Sequence, residues 1–403
     1  MLLYDMKHID ETHTAINKQP VWDLLGPYLE IGEVIKKHPE AELDLREELR
    51  KRDYTDSKIE ELVDRFGERV IALPYIKRNP KGSAKYGDTA VEIMWDNPRF
   101  IISKEELYKK IPDPLRKETF PNALAGGGQG ILIDAYDMNL EADVVVKATN
   151  PFYYSGFKPG YLNSRLIKEA ITTAKRRLLD EDVSIVTVYD GGILPTVDDR
   201  IMMSFFVMEK IDGFSLDEAG SYKIDTVLDI TSKLSRAIDN LNAEDIYHRD
   251  IKPGNVMLDR YGKLFLLDWG ISYEAFDEYN LTGEHGTREF RAPEQAMGEV
   301  VNNTDQHALA ATAWCLINIE PPIWNALFKI GFPEDKTHEY EHIDDKQALV
   351  KPADMPDEVY RVFVKAMSFN PEDRYNSCAE FAQALSSAYE QASVQTSEQP
   401  LEK

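Results

Sequence analysis

At 403 residues the chain is long enough for two or three domains, and 43% apolar with 29% charged residues is the composition of a globular protein with a sizeable core. The net charge is −24, and residues 1–115 hold 19 Lys/Arg against 23 Asp/Glu, so most of the excess sits further on; a surface this acidic repels phosphate backbones and anionic lipid, which argues against nucleic-acid or membrane binding and leaves a well-solvated face or one suited to basic partners. Two cysteines, Cys315 and Cys378, without a C-x-x-C pair or clustered histidines, and a start without the charged-then-apolar order of a secretory signal, speak against a disulfide framework, a zinc site and export, so a cytoplasmic setting is expected.

Residues 1–115 read as a first domain, mostly helical with a small hairpin. Leu43, Leu45, Leu49, Ile59, Leu62, Val63 and Phe66 recur at helical spacing among charges, with a break near Tyr54-Thr55-Asp56-Ser57 and Asp56 or Ser57 as N-cap of the second helix. Short strands over 70–73 and 91–95 flank a Pro/Gly/Lys-rich loop, and Ser103 looks like a helix start. Residues 116–210 are strand-rich, with strands over 131–135, 144–148, 185–189 and 202–208 and one helix over 165–179. Residues 211–390 are mainly helical, including a buried apolar helix over 308–319 that is too short to span a bilayer. Residues 391–403 lack an apolar pattern and are expected to be a disordered tail.

The run Leu124-Ala125-Gly126-Gly127-Gly128-Gln129-Gly130 lies between strand-like stretches. Its glycines allow backbone N–H groups to approach phosphate oxygens, although a simple hairpin turn has the same composition, and no Gly-Lys-Ser/Thr follows to make a P-loop. Lys147 stands in the apolar strand Val144-Val145-Val146-Lys147-Ala148, where it must either reach solvent at a sheet edge or meet an anion. The most specific segment is His248-Arg249-Asp250-Ile251-Lys252-Pro253-Gly254-Asn255, followed by Leu267-Asp268-Trp269-Gly270. Phosphoryl transfer requires such a set: a carboxylate for the hydroxyl proton, a second carboxylate and an amide oxygen for a divalent cation, and cations against transition-state charge.

On these motifs the chain resembles the eukaryotic-type protein kinases of the serine/threonine branch, which include compact bacterial and phage members, over about 120–385. The resemblance implies an α+β, bilobal kinase fold over 116–390, with a small β-rich lobe to residue 210 and a large helical lobe from 211, behind an additional N-terminal α-rich domain that is regulatory or protein-binding. It implies ATP with Mg²⁺, or Mn²⁺, as cofactors and proteins as substrates. Gly127 and Gly130 match the second and third glycines of the phosphate loop, with Ala125 in place of the first. Lys147 matches the lysine of the α- and β-phosphates and Glu169 its partner; Asp250 matches the catalytic base, Lys252 the cation near the γ-phosphate, and Asn255 and Asp268 the metal ligands. Leu132, Val145 and Met257 would cover the adenine, Met208 would be the gatekeeper, and Glu209 to Ile211 would face the base edge. Glu294 would pair with Arg374, and Asp305 would anchor the large lobe. Trp269 replaces the usual Phe.

Lys252-Pro253 together with Thr287 resembles the serine/threonine branch; tyrosine or dual specificity and a nucleotide-binding scaffold are the alternatives. Arg249 would receive an activation-loop phosphate, with Tyr273, Tyr279, Thr282 and Thr287 as candidate phosphosites, unless Glu284 or Glu289 already occupies it.

Overall fold

The computed structural model describes residues 42–72, 75–78, 91–94, 99–103, 130–149, 159–175, 179–195, 202–220, 222–274, 286–322 and 349–398. The chain divides into two units, Met1–Ala174 with Thr187–Lys210, and Lys175–Val186 with Ile211–Lys403. No helix among the described residues is long and apolar enough to cross a membrane.

In the first unit, strand β1 (Glu42–Asp44) leads into helices α1 (Leu45–Lys51) and α2 (Asp56–Phe66), then β2 (Arg69–Ala72), the hairpin β3 (Tyr75–Arg78) and β4 (Val91–Met94), and β5 (Phe100–Ser103). Next come β6 (Gly130–Asp137), β7 (Ala142–Thr149), helix α3 (Pro159–Lys175), β9 (Val188–Pro195) and β10 (Met202–Glu209); β8 (Val183–Ser184) belongs to the second unit. Among the described residues one antiparallel sheet runs β1-β2-β5-β6-β7-β10-β9. Alternation sets its faces over the first part of β6, where the exposed Leu132 and Asp134 alternate with the buried Ile133 and Ala135. The β6–β7 turn is closed by the buried carboxylate of Asp137, which accepts the N–H groups of Asn139 (2.9 Å) and Leu140 (3.2 Å) and pairs with Arg99.

This sheet corrects the expected boundary near residue 115. Strand β5 pairs with β6, Ile101 opposite Tyr136, so the N-terminal stretch continues the sheet instead of standing apart. Its helices cover that extension: Ile59, Leu62, Val63 and Phe66, at i, i+3, i+4 and i+7 of α2, pack with Leu45 and Leu49 of α1 and with Val70, Ile101, Tyr136 and Met138. Thr55, not Asp56 or Ser57, is the N-cap, accepting the N–H of Lys58 at 3.4 Å. The strand over 91–94 pairs with 75–78 and not with 69–72, whose partners are β1 and β5. Ser103 ends a strand, and the expected helix after it lies outside the described residues.

The second unit contains β11 (Gly213–Ser215), α4 (Ile224–Asn242), β12 (Ile246–Tyr247), a 3₁₀ turn (Pro253–Asn255), β13 (Val256–Asp259), β14 (Leu264–Leu266) and β15 (Tyr273–Glu274). Helices α5 (Pro293–Ala296), α6 (Thr304–Asn318), α7 (Asp357–Ala366) and α8 (Cys378–Glu398) follow. Its core joins Leu234 and Ile238 of α4, Trp314 of α6, Phe363 of α7 and Phe381 and Leu385 of α8, with Trp314 edge-on to Phe363 at 5.3 Å. Of the strand expected over 185–189 only Val188 and Tyr189 are in a strand, β9; residues 185–187 link it to β8, which pairs in parallel with β14. The tail is also corrected: α8 reaches Glu398, and Ala388 and Ala392, four residues apart, are both buried. Small apolar residues at that spacing suffice for a docked face.

Candidate active site

In the first unit, Lys147 lies on β7 between Leu132 of β6 and Phe206 of β10. Its Nζ donates to Glu169 Oε1 of α3 at 2.6 Å, with both side chains largely shielded from water. The pairing satisfies a lysine in an apolar strand without exposing it, and it sets the ammonium in one place. Met208 packs with Val188 against the cluster of Leu166, Ala170 and Phe206. The Glu209 N–H donates to Thr187 O at 2.8 Å, and its carboxylate accepts the Thr187 N–H at 3.1 Å. Leu132 is half exposed and Val145 half-buried. Gly130 opens β6, while Leu124, Ala125, Gly126, Gly127, Gly128 and Gln129 lie outside the described residues.

In the second unit the loop between β12 and β13 gathers the charged groups. Asn255 Nδ2 donates to the backbone oxygen of Asp250 (2.7 Å) and to its Oδ2 (2.9 Å). Lys252 Nζ stands 3.1 Å from the same Oδ2. Asp250 Oδ1 accepts the Thr287 N–H at 2.7 Å and the Thr287 hydroxyl at 2.9 Å, and that hydroxyl accepts from Lys252 Nζ at 2.6 Å. Tight loop geometry makes this possible: Arg249 and Asp268 both adopt positive φ, +67° and +61°, a strained conformation for side-chain-bearing residues. Asp305, fully buried at the start of α6, accepts the N–H groups of His248 (2.7 Å) and Arg249 (2.8 Å), and Arg249 Nε donates to Ile271 O. His248 bridges the Asp250 N–H, at Nδ1, and Leu267 O, at Nε2, and burial holds its pKa below the ordinary value, so it stays neutral. Trp269 fits where a smaller ring was the expected residue: its indole is fully buried, edge-on to His248 at 4.7 Å, and its Nε1–H donates to Leu266 O. Met257 is half-buried on β13, and Ile211 begins the longer stretch of the second unit.

Two supports expected from the sequence are in place. Glu294 and Arg374 form a buried pair at 2.7 Å, completed by Thr304, Asn303 O and Ser368 O. Burial raises the Glu294 carboxyl, but the guanidinium outweighs it and holds the pKa below the ordinary value. Two phosphosite candidates lie among the described residues, and both side chains are engaged. The Thr287 hydroxyl is engaged by Asp250 and Lys252, and a phosphate there would face the Asp250 carboxylate. Tyr273 pairs with Tyr247 in β15, its half-buried ring 6.1 Å from that of Tyr247. Tyr279 and Thr282 lie outside the described residues. Sequence reasoning missed Gln295, whose amide reaches Arg249 O at 2.6 Å. Its place directly after Pro293-Glu294 was the available signal.

Residues 178–389 match the family described as "Protein kinase domain". The chain is similar to serine/threonine-protein kinase PknB of Mycolicibacterium smegmatis, 27% identical over 282 residues, covering 66% of this chain and 42% of that protein. It is 34% identical over 169 residues to serine/threonine-protein kinase PknF of Mycobacterium tuberculosis, covering 40% of this chain and 34% of that protein. A probable serine/threonine-protein kinase of Streptomyces coelicolor is 28% identical over 273 residues, with 64% and 37% covered. The chain thus spans less than half the length of these curated relatives.

Proposed function

Because the chain belongs to the protein kinase family, we propose that it is an ATP-dependent kinase that transfers the γ-phosphate to serine or threonine hydroxyls of proteins. The observation that carries this reading is the Thr287 hydroxyl, held with its proton on Asp250 and its oxygen on Lys252. A loop that binds one aliphatic hydroxyl this way has the groups an incoming serine or threonine needs. In the reaction the acceptor oxygen bonds to the γ-phosphorus and its proton passes to the Asp250 carboxylate. The bond from the γ-phosphorus to the bridging oxygen breaks, and ADP leaves with that electron pair. Lys252 offsets the charge spreading over the transferring phosphoryl oxygens. On this reading Lys147, oriented by Glu169, would bind the α- and β-phosphates, and residues 124–130, Leu132, Val145, Met208, Glu209, Ile211 and Met257 would be the nucleotide-contacting residues that the family resemblance implies.

The donor set fits Mg²⁺ or Mn²⁺. Asn255 commits its amide nitrogen to Asp250, which leaves Oδ1 for a cation, and Asp268 adds a carboxylate, so both ligands are hard oxygens. When bound, the ion neutralises phosphate charge. Autophosphorylation within 275–285, at Tyr279 or Thr282, and a cytoplasmic setting belong to the same reading.

A phosphotransfer assay with ATP and Mg²⁺ on a basic acceptor protein, followed by phosphoamino-acid analysis, tests it. Wild type is expected to yield phosphoserine or phosphothreonine, with Asp250→Asn and Lys147→Met lower by about a hundredfold or more. Equal incorporation in all three proteins would overturn the assignment, and phosphotyrosine alone would overturn the acceptor.

A further inference from the structure

We propose that Gln295 is a positioning residue for phosphoryl transfer: its side-chain amide locks the peptide that joins Arg249 to Asp250 and so fixes the Asp250 carboxylate. The role rests on the kinase reading above. Gln295 lies on α5 with 1% of its surface exposed, and its Nε2 donates to Arg249 O at 2.6 Å. The carbonyl of Arg249 and the N–H of Asp250 share one planar unit. That unit is held at both ends, its oxygen by Gln295 and its N–H by His248 Nδ1 at 3.3 Å. The preceding peptide is held by Asp305, through the Arg249 N–H. Arg249 at φ +67° is strained and would relax if its carbonyl were released, carrying the Asp250 backbone with it.

The segment that bears Thr287 is layered on this same hydrogen bond. Gly286 has φ +95°, and a Cβ there would lie 2.7 Å from both Arg249 O and Gln295 Nε2. Only glycine lets the backbone pass so close, and the next residue delivers its N–H and hydroxyl to Asp250 Oδ1. Gln295 itself projects from a fixed base, because its neighbour Glu294 is tied to Arg374 and Thr304. Leucine or methionine at 295 would fill the space but leave the carbonyl without this donor.

Gln295→Met, of similar length without a donor, and Gln295→Glu, which donates only when protonated, test the lock by two readouts. The first is amide exchange without nucleotide, comparing peptides 249–252 and 286–288 with those of α7 and α8. In Gln295→Met the two loop peptides should exchange about tenfold faster or more while α7 and α8 stay within about twofold. The second is kinetics: kcat should fall about tenfold or more, with KM for ATP within about threefold, since a displaced base slows chemistry without touching the nucleotide groups. Relative to wild type, Gln295→Glu should recover as pH falls from about 8 to about 6 while Gln295→Met stays flat. Unchanged loop exchange, equal acceleration in α7 and α8 or global unfolding of both variants, or kcat within twofold of an active wild type would each overturn the lock. A wild type that transfers no phosphate would overturn the kinase reading and the catalytic role built on it, an outcome separable from the exchange result, which needs no ATP.

Discussion

At the scale of single residues, burial decides protonation in the second unit. His307 of α6 is buried, its Nδ1 facing Phe290 O at 3.4 Å. Burial, together with the positive charge of Arg374 and against the pull of Glu294, brings its pKa down to about 3. In the unfolded chain a histidine titrates near ~6.5, so between these values the unfolded state binds a proton that the folded state refuses. Stability conferred by neutral His307 is therefore complete above about 6.5 and is lost progressively as pH falls toward about 3, and His248 adds in the same direction. The urea midpoint should fall between about pH 7 and about pH 5, and His307→Gln should make that fall shallower. An identical slope in the variant would remove His307 from the account. The charged motif residues were legible from spacing because chemistry restricts their types. The partner of Thr287 was not, since a threonine in an activation segment reads equally as a phosphate acceptor or as a ligand of Asp250.

At the scale of elements, periodicity located the helices well, and their ends less well. The seam between α4 and α8 shows why. The first N–H groups of α8, at Cys378 and Ala379, are capped by the carboxylate of Asp239, 2.8 and 2.9 Å away on α4. A cap supplied from 139 residues upstream leaves no local trace. Asp239→Ala should lower stability by about 0.5–2 kcal/mol, the usual cost of losing an N-cap, measured by thermal or urea denaturation. No change in midpoint would mean that water satisfies those donors equally well. The same helix shows why the expected tail was misjudged: Ala388 and Ala392 are too small to register as an apolar stripe, yet in a docked helix they are large enough to be buried. Strand pairing was the least legible feature. Nothing in 69–72 distinguishes a partner at 91–94 from one at 100–103, because register is set by what each face must cover.

At the scale of the whole molecule, the N-terminal stretch is part of the first unit. Phe66 of α2 is buried against Tyr136 of β6, ring centroids 6.2 Å apart. Tyr54 donates to Met138 O, and Arg65 pairs with Asp143, tying the same helical segment to the β6–β7 hairpin. Phe66→Ala should cost about 3–5 kcal/mol, the range for emptying a buried aromatic site. The loss should appear as faster amide exchange in β6 and β7 as well as in α2. Exchange confined to residues 42–72 would instead restore the independent domain expected from the change in texture near residue 115. Helical spacing before that point and strand alternation after it are both real, but local pattern cannot say whether two textures share one sheet.

What the sequence by itself determined is the set of side chains from which the proposed chemistry is built: Lys147, Glu169, Asp250, Lys252, Asn255 and Asp268 stand where the kinase motifs put them. It also determined that strand-rich and helical halves follow one another. Tertiary structure alone decided that β5 completes the sheet beside β6, that Thr287 is a ligand of Asp250, and that Gln295 reaches the Arg249 carbonyl. The physical reason is common to all three. Each is a hydrogen bond or strand pairing between residues 33 to 46 positions apart, satisfied only once folding removes water from both partners.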